Sequence, residues 1–130
     1  MRNVLEESAR ISRGNCKDLG LLKAIDFDAL LIPGGFGVAK NLSDFAFTGK
    51  DMQVKEDVAL VLKDFHAAGK VIGMTCIAPL LAAKVLGDKK LKLTLGKHKE
   101  NFPFSGTIDL ASSLGNRMEE LDVNDVCVDW

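Results

Sequence analysis

The sequence predicts an α/β domain built on a largely parallel sheet, and three observations carry that expectation. Compact apolar runs at residues 27–33 and 71–74 read as buried strands. Between and after them, apolar residues recur at helical spacing over 54–68 and 77–86. Strands that alternate with helices in this way favour parallel pairing with helical crossovers. The 130 residues suffice for one domain and leave no room for two.

The elements follow in order. Val4, Leu5, Ser8, Ala9 and Ile11 trace a short amphipathic helix stopped by Gly14, and Arg2, Arg10 and Arg13 on its other side read as a solvated face, with an anion site as the alternative. The first strand closes on Pro33-Gly34-Gly35. Residues 36–53 then form a long loop with a helical turn at 42–47, and loops of that length inside a domain are usually functional. Val54, Val58, Val61, Leu62 and Phe65 mark one face of a helix that Gly69 ends. After the strand at 71–74 comes a turn at Thr75-Cys76, then a helix over 77–86 capped by Gly87. Leu91-Lys92-Leu93-Thr94-Leu95 alternates as a strand does, 107–114 is a weaker helix ended by Gly115, and Val126-Cys127-Val128 reads as a final strand.

Composition removes several classes of function. Hydrophobic residues make up 47% and charged residues 27%, which is globular rather than disordered composition. Seventeen basic and eighteen acidic residues leave a net charge of −1, and no basic stripe with interleaved aromatics stands out, so no nucleic-acid partner is expected. With seven Phe, one Trp and no Tyr, base-stacking platforms are not expected either. The longest apolar stretch, 71–86, is broken by Thr75, Pro79 and Lys84 and is shorter than the roughly 20 residues of a membrane span, so no membrane partner is expected. Glu6 and Glu7 argue against a signal or transit peptide at the start of this sequence. Cys16, Cys76 and Cys127 are an odd number without CxxC or CxxH spacing, so neither a disulfide framework nor a metal site is expected, and a reducing compartment fits best.

The sharpest chemical feature is Gly73-Met74-Thr75-Cys76-Ile77-Ala78-Pro79. A strand turns abruptly into a helix with a cysteine at the corner, above the carboxyl edge of the sheet where α/β folds bind ligands. Pro79 suits the first helical turn, and a helix N-terminus favours thiolate over thiol. A standard nucleophile elbow has Gly two residues before and after the nucleophile, whereas Met74 and Ala78 stand there. The competing reading makes Cys76 a buried small hydrophobe. The second feature, Ile32-Pro33-Gly34-Gly35-Phe36-Gly37, lets backbone amides approach a ligand. Gly34 and Gly35 with the Ile77 amide would make an oxyanion hole beside Cys76; the alternative is a plain glycine turn. His66 ends a helix and reads as structural. His98, in Gly96-Lys97-His98-Lys99, follows a strand at the same sheet edge and is either a partner of Cys76 or an exposed loop residue.

Four blocks carry a resemblance over essentially the whole chain. Arg2-Asn3-Val4-Leu5-Glu6-Glu7-Ser8-Ala9-Arg10-Ile11, Leu31-Ile32-Pro33-Gly34-Gly35-Phe36-Gly37, Ala39-Lys40-Asn41-Leu42-Ser43 and Cys76-Ile77-Ala78-Pro79 resemble the ElbB-type proteins. These are a branch of the class I glutamine amidotransferase-like superfamily, which also holds the PfpI proteases. The segment Phe102-Pro103-Phe104-Ser105-Gly106-Thr107 is similar to an insert of the animal mitochondrial members, which implies a mitochondrial location; the bacterial members imply a cytoplasmic one.

The resemblance implies a flavodoxin-like three-layer sandwich and a nucleophilic cysteine at Cys76. It implies a cofactor-free, metal-free conversion of small dicarbonyls such as glyoxal to hydroxy acids, with Gly34, Gly35 and Ile77 at the oxyanion and His98 in the place of an active-site histidine. A homodimer is implied by the superfamily. Many members carry His directly after the nucleophile; here that residue is Ile77, so no adjacent Cys-His dyad forms and an amidotransferase triad is not expected. The family's first strand, with its acidic partner for the cysteine, precedes the block at Arg2, so residues 1–130 are expected to be one partial domain, marginally stable and weakly active, with exposed strand edges. The alternative function is a non-catalytic, redox-responsive or chaperone-like member whose Cys76 is oxidised rather than turned over.

Overall fold

A continuous apolar run becomes the centre of the fold. In the computed structural model, which describes residues 1–100, 102 and 104–130, the helix Pro79–Val85 has Pro79, Leu80, Leu81, Ala82 and Ala83 buried. Five consecutive buried positions reach around the whole helix, so neighbouring elements must cover it on all sides ahead of Lys84. In chain order the elements are α1 (Val4–Ile11), β1 (Ala29–Ile32), α2 (Phe45–Thr48), α3 (Glu56–Ala67), β2 (Val71–Met74), α4 (Pro79–Val85), β3 (Lys92–Leu93), α5 (Gly106–Ser113) and β4 (Arg117–Met118).

Three small clusters meet on α4. Leu81 packs with Val38, Val58, Leu62 and Ala78; Leu80 and Ala83 pack with Met52 and Ala111; Ala82 packs with Leu86 and Leu91. Phe65 and Leu62, fully buried on α3, complete the side facing β2. Anchoring α4 on all sides fixes the corner that precedes it.

Both strand pairs are parallel. β1 and β2 run in register from Ala29 opposite Val71 to Ile32 opposite Met74, and β3 pairs Lys92 with Arg117 and Leu93 with Met118. Among the described residues no ladder joins the two pairs. The α/β class with parallel pairing therefore holds, while the single sheet is divided into two short ones.

Two expectations of detail are corrected. Val126-Cys127-Val128 is not a strand: Val126 and Val128 are exposed, and among the described residues no ladder pairs with that backbone. The fourth strand is instead Arg117–Met118, where the Arg117 N–H donates to Leu91 O at 2.8 Å and the Glu119 N–H to Leu93 O at 2.8 Å. The amphipathic pattern of α1 buries nothing, and Val4, Leu5 and Ile11 stay exposed. That helix is held by its own ends: Asn3 Oδ1 accepts from the Glu6 N–H at 3.1 Å. Within the Phe102–Thr107 block, Pro103 lies outside the described residues.

The long loop is ordered by its own polar groups. Residues 38–42 make one wide π-type turn ahead of α2, and buried Ser43 donates its hydroxyl to Val38 O at 2.8 Å. The Asp44 carboxylate accepts from the Gln53 N–H at 2.6 Å and the Thr48 hydroxyl at 2.9 Å. Those bonds, the Gln53 one first, hold its carboxyl below the usual carboxylate range.

Candidate functional site

Cys76 sits at the corner between β2 and α4 in the left-handed region, at φ +58°, and its side chain is exposed. A non-glycine residue there costs about 1–2 kcal/mol, so the surrounding structure must hold it. It does so from both sides. The Thr75 N–H extends the ladder to Ile32 O at 3.3 Å, and the Ala78 N–H closes back onto Thr75 O at 3.0 Å. Beyond the corner, Ala78 and α4 are locked in the core. The exposure of Cys76 removes the buried-hydrophobe reading of that residue.

The glycine loop reaches the same corner from β1. A Cβ built on Gly34 would lie 2.3 Å from Cys76 Cβ and 3.1 Å from its Sγ, so only glycine fits at this approach. The Gly34 N–H donates to Thr75 Oγ1 at 3.2 Å, which takes that amide out of the set expected at an oxyanion. Gly35, at φ +103°, reverses the chain. Among the described residues, neither the Gly35 nor the Ile77 N–H has a protein hydrogen-bond partner. Thr75 is the residue that sequence reasoning missed. Its signal was a hydroxyl immediately before the cysteine in a strand-to-helix corner.

His98 is placed elsewhere in the bonding pattern. Its Nδ1 lies 2.8 Å from Glu120 Oε1 and its Nε2 lies 3.1 Å from Asp109 Oδ1, while its backbone N–H donates to Glu120 Oε2 at 2.9 Å. The Glu120 hydrogen bond first, and that to Asp109 with it, raise the imidazole above its ordinary pKa against a desolvation that lowers it. Glu120 is correspondingly lowered, chiefly by the His98 backbone N–H. Lys97 beside it pairs with Asp122. With both ring nitrogens engaged by carboxylates, His98 ties the loop after β3 to α5 and to the segment after β4, and it makes no hydrogen bond to Cys76. His66 is half-buried on the last turn of α3.

The other thiols differ from Cys76. Cys16 and Cys127 are both partly buried, and burial, followed by Glu119, pushes the Cys127 thiol up. Among the described residues no group of three or more His, Cys, Asp or Glu side chains is placed to hold a metal ion, and no helix is long and apolar enough to cross a membrane.

With this geometry in place, the likeness to known proteins is informative. No family model matches the chain. It is 53% identical over 117 residues to the human protein named glutamine amidotransferase-like class 1 domain-containing protein 3, mitochondrial, covering 88% of this chain and 43% of that protein. It is 51% identical over 117 residues to the rat ES1 protein homolog, mitochondrial, covering 88% of this chain and 43% of that protein. A crystal structure of an isoprenoid biosynthesis protein with an amidotransferase-like domain from Ehrlichia chaffeensis superposes with a TM-score of 0.75 at 34% identity, over 92% of this chain and 51% of that one. The chain thus spans about half the length of the relatives it matches. The parallel α/β fold and these likenesses together make the chain a member of the class I glutamine amidotransferase-like superfamily, on its ElbB-type branch.

Proposed function

We propose that Cys76 is the nucleophile of a cofactor-independent, glyoxalase-like conversion of small dicarbonyls to hydroxy acids. The observation that carries this reading is the exposed thiol held at a left-handed strand-to-helix corner with the Gly34 backbone against it. A fold that keeps a reactive side chain in a costly backbone conformation while exposing it gains nothing in packing, and such positions concentrate at functional sites. The mitochondrial names of the human and rat relatives support a mitochondrial location. The homodimer, like the activity, is a proposal for the whole protein.

The chemistry balances without a cofactor. The Cys76 thiolate adds to one aldehyde carbon of glyoxal, forming a C–S bond and pushing the carbonyl electrons onto oxygen. The Gly35 and Ile77 amides are the donors for that oxygen, and Gly34 contributes space rather than an N–H. A proton then moves from the sulfur-bearing carbon to its neighbour through an enediol, which gives a hydroxyacyl thioester. Water attacks the thioester, the C–S bond breaks, and glycolate and the thiol are released. The sum is glyoxal plus water to glycolate plus a proton. In this reading His98 orders a loop and takes no part in the reaction.

The test is glycolate formation from glyoxal, and lactate formation from methylglyoxal, by the whole protein and its Cys76→Ser variant. Turnover abolished by the substitution is the expected result. Full activity in Cys76→Ser would remove Cys76 as the nucleophile, whereas no turnover by either protein would leave the non-catalytic redox reading in its place.

A further inference from the structure

Beside the glycine loop lies a cleft that the reaction above does not use. It is an open, solvent-facing cleft of about 480 Å³ between α1 and the turn at 36–41, and Arg2, Arg10, Lys40 and Asn41 line it together with Glu7 and Phe36. Three cations against one carboxylate leave its wall with an excess of two positive charges. Glu7 accepts one hydrogen bond from each arginine, from Arg2 Nε at 3.2 Å and from Arg10 Nη2 at 3.4 Å. Each guanidinium has five N–H donors, so most of the fork on both remains free for another oxyanion. The Lys40 ammonium stands 5.8 Å from the centre of the Phe36 ring, which holds it over the cleft wall.

The cleft and the cysteine share one loop. Gly34 touches Cys76, and Phe36, two residues on, lines the cleft. Consecutive Cα atoms are about 3.8 Å apart, so those two Cα atoms are separated by at most about 7.6 Å. We infer that this cleft is a subsite for an anionic group, carboxylate or phosphate, on a substrate whose reactive carbonyl meets Cys76. The inference rests on the nucleophile reading for the identity of the reacting atom, and it changes the substrate class. The preferred substrate is a 2-oxoaldehyde with an acidic tail, and glyoxal and methylglyoxal are the neutral fragments of it.

Alkylation of Cys76 tests the subsite without turnover. The rates with iodoacetate and with iodoacetamide are measured on the whole protein by mass spectrometry, at constant low ionic strength. The iodoacetate-to-iodoacetamide ratio at Cys76 is expected to fall about threefold or more in Arg10→Gln and Lys40→Gln, and the difference to fade when added salt shortens the screening length to about 3 Å. Lys63→Gln, the same charge change on the exposed side of α3, controls for net charge and should leave the ratio unchanged. At fixed ionic strength, inorganic phosphate or acetate should suppress the iodoacetate advantage, and the more effective of the two identifies the preferred oxyanion. A ratio that is the same in wild type, Arg10→Gln and Lys40→Gln overturns the subsite, as does an advantage insensitive to both competitors. These outcomes are independent of whether Cys76→Ser abolishes dicarbonyl turnover, so the failure of one reading does not pass for the failure of the other.

Discussion

Gly34 and Cys76, forty-two positions apart, are in backbone-to-side-chain contact: a Cβ on Gly34 would fall 2.3 Å from Cys76 Cβ. The contact explains why the strand-end glycine and the corner cysteine operate as one unit. Either the glycine keeps its bare Cα or the corner moves.

Gly34→Ala should therefore destabilise the fold by about 1–3 kcal/mol, the usual cost of forcing extra volume into a packed contact. The Thr75–Gly34 hydrogen bond would be strained with it. Urea unfolding measures the stability, and iodoacetamide labelling of Cys76 reports the displaced corner. Unchanged stability together with an unchanged labelling rate would show that the approach is looser than the geometry implies.

Relief of the corner makes the complementary prediction. At φ +58°, Cys76→Gly should be more stable than Cys76→Ala by about 1 kcal/mol, because both lack the thiol and only alanine keeps a Cβ in the left-handed region. Dicarbonyl turnover should be absent from both. Equal unfolding midpoints for the two variants would argue against a strained corner.

His98 supplies a pH dependence with a definite sign. Its folded pKa is raised, first by the Glu120 hydrogen bond and also by Asp109, so its contribution to stability is complete below the unfolded value and lost as pH rises through the folded one. Glu120 is lowered, so its share is present above the unfolded carboxylate value and lost as pH falls through the folded one. The contact is strongest in the mildly acidic window between them. An NMR titration of the His98 ring should give a lower pKa in Glu120→Gln than in wild type. A titration that does not move would remove Glu120 as the cause.

Asn116 clamps two helices from a buried position. Its Nδ2 donates to Ala83 O in α4 and to Ala111 O in α5, each at 3.0 Å, while its Oδ1, among the described residues, has no partner. Asn116→Ala should cost about 1–3 kcal/mol by removing the side-chain donor from both carbonyls, which leaves Ala111 O with only the backbone N–H of residue 116 at 3.4 Å. Asn116→Asp should be worse at neutral pH, where it sets an ionised carboxylate against those carbonyls, and should recover as acid restores an O–H donor. Thermal unfolding across pH 4–8 separates the two variants.

Much of this was legible in the residues. The helical spacing of Val58, Val61, Leu62 and Phe65 became the buried face of α3, and the apolar runs at 27–33 and 71–74 became the paired strands β1 and β2, although Leu31 and Val71 are exposed and neither strand is fully buried as expected. The strand-to-helix corner at Cys76 could be read because its signals, a β-type run, a small-residue turn and Pro79, are adjacent in sequence. The alternation at 126–128 misled because a strand needs a ladder partner, and local pattern does not supply one. Arg117–Met118 was invisible for the converse reason: two residues carry no period.

The sequence by itself determined the α/β class, the order of the main elements and the residue at the corner, since each depends on neighbours within about a turn of helix or a short strand. Tertiary structure alone decided what those residues touch. It set Gly34 against Cys76, used the Gly34 amide to bond Thr75, and gave His98 to Glu120 and Asp109. Such contacts join positions 11 to 42 residues apart. Their geometry follows from how the elements pack around α4, which no local pattern encodes.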